Sequence, residues 1–253
     1  VSRARIFDIA AVALTIAVLA GVGFALRPQH TSTITVAASA ANVDRSQPAA
    51  ETGPSALFVG DSYTVGHGTK ESSYACMAAV RMGWVCNLSA VGRTGYVAGG
   101  PTDRFEVDDH TGQSTSFSER VPQLALMYRP DIVFLDGGRN DLQLPPDEVY
   151  DAIVWTITGI RHAWPAATIV FIRPRFISRP EDNLGFDDEF IARLQSEPAA
   201  HDIVIVDPLN RLAGSDTSAL LADDQFHPSQ HGEVVMSSVL VDSLVDQGFA
   251  LQR

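Results

Sequence analysis

Cysteine is scarce in this chain. Two occur in 253 residues, Cys76 and Cys86, and no Cys-x-x-Cys pair is present. A dithiol redox motif and a cysteine-ligated zinc site are therefore unsupported. Basic residues are also few: 18 Lys and Arg stand against 30 Asp and Glu, for a formal net charge of −12. Nucleic acid calls for a basic face, so the composition argues against a nucleic-acid partner. Charge of either sign is missing from Ile9 to Leu26. A buried helix of the soluble domain is one reading of that run, which the absence of any polar face disfavours. No internal repeat is apparent.

The uncharged run is about long enough to cross a bilayer. Arg3 and Arg5 precede it, which favours an N-terminus held in the cytoplasm and export of the rest of the chain. A cleaved signal peptide is the competing reading, but its apolar region is usually shorter, ~7–15 residues. Ala38-Ser39-Ala40 resembles a cleavage site and lies rather far beyond the run. The favoured reading is an uncleaved membrane anchor over residues 1–27, with secretion as the alternative. Residues 28–54 are rich in Ala, Ser and Thr, with Pro28, Pro48 and Pro54, and read as a flexible tether. The folded domain is then expected over 55–253. With 45% hydrophobic residues the chain can build a proper core. In an exported domain Cys76, on a helix, and Cys86, on the next strand, can form a bridge. Two buried thiols acting as small hydrophobes is the other reading, and both stay open.

Apolar runs alternate with helical patterns. Strands are expected at Ala56–Val59, Trp84–Leu88, Asp131–Leu135, Thr168–Ile172 and Asp202–Val206. The last three are apolar on both parities, as strands covered on two faces should be. Helices are expected over 71–82, ended by Gly83, over 147–163, and over 228–246 with Val235, Val239, Leu240 and Leu244 on one face and Pro228 in the first turn. Such alternation means a doubly wound parallel α/β sheet. Long loops at 97–117 and 174–186 leave its carboxyl edge, where open α/β sheets keep their ligand sites.

Four short segments fall at that edge: Gly60-Asp61-Ser62, "NLSAVGRTG" (87–95), Gly138-Arg139-Asn140-Asp141, and "DDQFHPS" (223–229). Acyl transfer through a serine needs a hydroxyl, a base, an acid that orients the base, and donors for the oxyanion. Ser62 offers the hydroxyl, His227 the imidazole, and Asp224, three residues earlier, the carboxylate. The Ser62 N–H, the Gly92 N–H and the Asn140 side-chain amide are the candidate oxyanion donors. A glycine at 92 would let a reacting carbonyl come close to the backbone. Each segment alone reads as an ordinary turn; together and in this order they point to a serine acyl-transfer site.

These blocks resemble the SGNH, or GDSL, hydrolase superfamily of esterases, lipases and related acyltransferases. The matching positions are Ser62 in "GDSYTVG", Gly92, Asn140 in "GRND", and Asp224-x-x-His227, and the resemblance spans 55–247. It implies a three-layer α/β/α, flavodoxin-like fold with a five-stranded parallel sheet. It also implies a triad of Ser62, Asp224 and His227, an oxyanion hole of Ser62, Gly92 and Asn140, and no cofactor or metal. Arg139 departs from the pattern, since a small or polar residue is common there. Asp223 adjoins Asp224, but only the latter has the DxxH spacing.

The expected activity is hydrolysis of a carboxylic ester, acyl-sugar or lipid-like. Acyl transfer to a sugar or glycan hydroxyl is one alternative, and a non-catalytic binding module of the same fold is another. Tyr63, Thr64, Arg93, Arg139, Arg173, Arg175 and Arg179 lie near the expected rim and are candidate substrate contacts, or cations that neutralise an acidic surface. Several of the arginines together could hold an anionic partner. His227 and His231, four apart, would suit a shared metal on a helix, but Pro228 and Gly232 argue against one helix through both.

Overall fold

The first strand shows why the domain is layered. Along Ser55–Gly60 (β1), Ala56 and Phe58 face one apolar cluster while Leu57 and Val59 face another. A strand buried on both faces needs helices on both sides. The computed structural model describes residues 53–66, 69–108 and 112–251. The expected anchor (1–27) and nearly all of the expected tether lie outside the described residues. Among the described residues no helix is long and apolar enough to cross a membrane.

The remaining strands of the main sheet are β2 (Val85–Ala90), β3 (Ile132–Asp136), β4 (Thr168–Ile172) and β5 (Val204–Val206). Their spatial order is β2-β1-β3-β4-β5, and every neighbouring pair is parallel. This is the flavodoxin-like doubly wound order, in which the chain reverses direction beside β1 and leaves a crevice at the carboxyl ends. The helices are α1 (Ser62–Val65), α2 (Tyr74–Arg81), α3 (Phe117–Met127), α4 (Pro146–Ala163), α5 (Asp188–Gln195) and α6 (Gln230–Asp246). α2 and α6 pack with Phe58, Phe134 and Val170 on one face. α3, α4 and α5 pack with Leu57, Leu135 and Phe171 on the other. The three-layer expectation is met.

Local differences from the sequence reading have identifiable causes. The helix expected over 71–82 is split: a 3-10 turn at Lys70–Ser72 stops at Ser73, whose side chain caps α2. On α6 the buried seam runs through Met236, Ser237, Leu240, Val241 and Leu244, while Val235 and Val239 are not part of that seam. Pro228 lies just before that helix, and Ser229 caps it. α3 carries Pro122 in its interior, which masks it as a helix, although Ser116 and Glu119 form a reciprocal capping box at its start. The loop expected over 97–117 holds a two-stranded antiparallel ribbon, Glu106–Asp108 with Gly112–Gln113.

Cys76 and Cys86 form a disulfide between α2 and β2, with Cα atoms 5.3 Å apart. It ties an edge strand to the helix above it. The double variant Cys76→Ser/Cys86→Ser should lose about 2–4 kcal/mol of unfolding free energy in urea denaturation. An unchanged midpoint would show that packing alone holds this edge.

Candidate active site

The Gly-Asp-Ser step is built from close contacts. A Cβ on Gly60 would lie 1.9 Å from Thr64 Oγ1, so only glycine lets the one-turn α1 fold back over the end of β1. Asp61 caps α1 by accepting from the Tyr63 N–H at 2.8 Å. Ser62 therefore sits at the first position of α1, where a backbone N–H has no partner within the helix.

His227 reaches Ser62 from a short loop ahead of α6. Leu221 and Pro228 bridge its base, and the Ala222 N–H donates to the His227 carbonyl at 2.9 Å. Gln225, at its tip, has a φ of 57°, a left-handed conformation that few non-glycine residues adopt. Asp224 Oδ1 accepts from the Phe226 and His227 N–H groups, each at 2.9 Å. Its Oδ2 lies 2.6 Å from His227 Nδ1, and His227 Nε2 lies 2.8 Å from Ser62 Oγ. The fitting tautomer has the proton on Nδ1, which donates to Asp224, and leaves Nε2 to accept from the serine hydroxyl. The His227 side-chain bond, aided by the two backbone donors, holds the Asp224 carboxyl well below the usual range. Asp224 is thus an anion at neutral pH. Asp223 is exposed. His231 stands on α6 and His227 on the loop, and among the described residues no group of three or more His, Cys, Asp or Glu is set to hold a metal.

Gly92 lies beside the serine: a Cβ built on it would sit 3.7 Å from Ser62 Cβ. That is ordinary contact, so a side chain would not clash with the protein but would fill space next to the hydroxyl. Among the described residues the Gly92 N–H has no hydrogen-bond partner. The Asn140 amide donates one hydrogen to the Thr94 carbonyl at 2.9 Å, and its second remains. Asp141, not singled out from sequence as a site residue, clamps the same loop. Its buried carboxylate accepts from the Tyr96, Val97 and Ala98 N–H groups at 2.9, 3.0 and 2.8 Å. Arg120 of α3 holds the loop from below, donating to the carbonyls of Gly60 and Ser89 at 3.1 and 3.0 Å and to Thr94 Oγ1. Its burial among neutral oxygens lowers its pKa to about 10.

Burial corrects several of the residues expected to touch substrate, though not Arg93 and Arg179. Arg139 does not face solvent; its guanidinium lies 2.9 Å from Asp136 and 3.3 Å from Asp61, and donates to the Arg175 carbonyl at 2.8 Å. Thr64 and Tyr74 hydroxyls donate to the other Asp136 oxygen. Tyr63 is fully buried, with Arg139 over its ring at 4.3 Å. Arg173 is turned inward to the Phe186 carbonyl, with Asp188 and Asp207 beside it. Arg175 is buried against Asp207. Arg93 and Arg179 are exposed. Arg93 stacks on Phe105 at 4.3 Å with a φ of 63°, and Arg179 lies 3.3 Å from Asp182.

With the blocks together at one rim, the comparison with known proteins is direct. The profile of the GDSL-like Lipase/Acylhydrolase family matches residues 58–234. The chain belongs to that family. No curated protein matches it closely enough to be counted a relative. The GDSL fold recurs in solved structures. A putative lipolytic protein of the G-D-S-L family from Desulfitobacterium hafniense aligns with a TM-score of 0.55 at 14% identity, over 76% of this chain and 99% of that one. An esterase from Pseudoalteromonas sp., solved with monoethylphosphonate as inhibitor, aligns at 0.55 and 15%, over 77% and 98%. A carbohydrate acetylesterase from Sinorhizobium meliloti aligns at 0.52 and 16%, over 77% and 100%.

The buried charges set two expected outcomes. Arg139→Met strands two buried carboxylates and should cost about 3–5 kcal/mol, whereas Arg93→Gln, on the surface, should change stability by less than about 1 kcal/mol; equal effects in urea titrations would contradict this assignment. Burial, with Asp136 adding to it and Arg139 opposing it, pushes the Asp61 carboxyl from 3.8 up to about 6. Between those values the folded chain keeps a proton that the unfolded chain has released. This group therefore makes stability fall as pH rises through that window. Asp61→Asn should flatten that slope between about pH 4 and 6, and an identical slope in both proteins would show that Asp61 titrates normally.

Proposed function

We propose that the domain is a serine esterase that cleaves carboxylic esters through an acyl-enzyme on Ser62. The observation that carries the reading is the unbroken hydrogen-bond chain from Ser62 Oγ through His227 to Asp224. In the proposed first step Nε2 takes the hydroxyl proton as Oγ bonds to the ester carbonyl carbon. Asp224 stabilises the imidazolium that results. The Ser62 N–H, the Gly92 N–H and the free hydrogen of Asn140 receive the oxyanion. The imidazolium then protonates the departing alcohol, and an acyl group remains on Ser62. Water, deprotonated by the same imidazole, releases the acid and restores the serine. This chemistry calls on no metal or organic cofactor.

The substrate class is an acyl-sugar or lipid-like ester. Fold neighbours described as carbohydrate esterases agree with a sugar ester. Transfer to an anionic sugar loses its main ground, because Arg139, Arg173 and Arg175 are already engaged within the protein. A non-catalytic binding module is disfavoured by a serine, histidine and aspartate that remain hydrogen-bonded to one another. Export, with the N-terminal run as anchor, agrees with the bridged cysteines, since disulfides persist in oxidising compartments.

Ser62→Ala should lower hydrolysis of a short-chain p-nitrophenyl ester by ~10³-fold or more with little loss of stability. Asp224→Asn should be far more damaging to kcat than Asp223→Asn. Substantial activity in the Ser62 variant, or equal damage from the two aspartates, would overturn the assignment.

A further inference from the structure

The fourth residue of the Gly-Asp-Ser-Tyr block has a task of its own. Tyr63 comes directly after the serine, and its hydroxyl crosses to the histidine loop, donating to the Phe226 carbonyl at 2.7 Å. The same hydroxyl accepts from the Ile177 N–H at 3.3 Å. Its ring packs against Phe226, Phe176 and the His227 imidazole, with centroids 6.2, 6.2 and 5.8 Å away, while Arg139 covers its face. The loop it reaches is an exposed one: Asp223, Asp224, Gln225 and Phe226 all face solvent, and Gln225 is left-handed. Among the described residues, two hydrogen bonds fasten segment 223–227 to parts of the domain outside the loop. One is His227 to Ser62 and the other is Tyr63 to Phe226.

We infer that Tyr63 is a positioning residue that sets the distance between nucleophile and base. Ser62 and Tyr63 are consecutive on α1, and Phe226 and His227 are consecutive on the loop. One planar side chain therefore links the residue after the nucleophile to the residue before the base. The tyrosine has few rotatable bonds and is fully buried, so the link is stiff. Burial raises its pKa to about 12, so it remains a donor across the working pH range. Without this strut the serine–histidine contact would be the one hydrogen bond, among the described residues, from segment 223–227 to the domain outside the loop, beside the packing of the Phe226 ring on Phe176 at 4.7 Å. Misplacement of a base by about 1 Å can cost ~100-fold in rate. The inference rests on the proposed roles of Ser62 and His227.

The test is Tyr63→Phe, which keeps the ring and removes one oxygen. With a p-nitrophenyl ester, kcat and the single-turnover acylation rate should fall about 10- to 100-fold while KM changes less than about 2-fold. Ile153→Val, in the core on the far side of the sheet, serves as a control that lowers Tm without touching the loop. It should leave kcat intact. If Tyr63→Phe gives too little folded protein, Tyr63→Leu, normalised to folded enzyme, is expected to show the same loss. The inference is overturned if the Tyr63 variants acylate at the wild-type rate, or lose only what the Ile153→Val control loses at equal Tm. Ser62→Ala and His227→Ala are run beside them. Activity persisting in those two would sink the esterase reading itself, whereas their inactivity with a fully active Tyr63→Phe would sink this inference alone.

Discussion

One guanidinium ties together the strand ends on which the site stands. Arg139 leaves the segment after β3 and lies between Asp61, at the end of β1, and Asp136, the last residue of β3. It also takes the carbonyl of Arg175 from the loop after β4 and lies on the ring of Tyr63. Three strand ends are thereby joined through one buried charge. Once Asp61 is ionised, two carboxylates against one cation leave a net negative charge in the core. It is tolerable because the Tyr63 N–H and the Thr64 and Tyr74 hydroxyls donate to the remaining lone pairs. Removing a single member exposes the others to the full cost of burial.

From that centre the site divides into two halves with separate supports. The proposed base half is the loop carrying Asp224 and His227, held by the carboxylate's own backbone bonds and by Tyr63. The proposed oxyanion half is the loop carrying Gly92, held by Arg120 from below and by Asn140 and Asp141 from the side. Each half stands on donors and acceptors that are already paired within the protein. In the proposed mechanism little reorganisation is then needed when charge develops on a substrate.

The sheet was legible in the sequence because its strands are buried on both faces and leave continuous β-branched runs. Thr168–Ile172 matches residue for residue. α3 was not legible, since Pro122 breaks the pattern that the Ser116–Glu119 capping box would have announced. The four candidate segments could be singled out because a serine and an asparagine just past strand ends, and an Asp-x-x-His pair ahead of the last helix, have a chemistry that spacing can suggest. The arginines could not be assigned that way. Arg139 and Arg93 come after strand ends equally well, yet one is buried and the other exposed. Only the positions of Asp61 and Asp136 distinguish them. A charged residue closing an otherwise apolar strand, as Asp136 does after "IVFL", was the available signal for that pairing.

The central claim is that His227 activates Ser62 and no other residue. Labelling with a fluorophosphonate, followed by peptide mass spectrometry, tests it directly. One adduct is predicted, on Ser62, that forms on the native protein and is lost in His227→Ala and after denaturation. A native protein that takes up no label, or takes it on another residue, would contradict the claim.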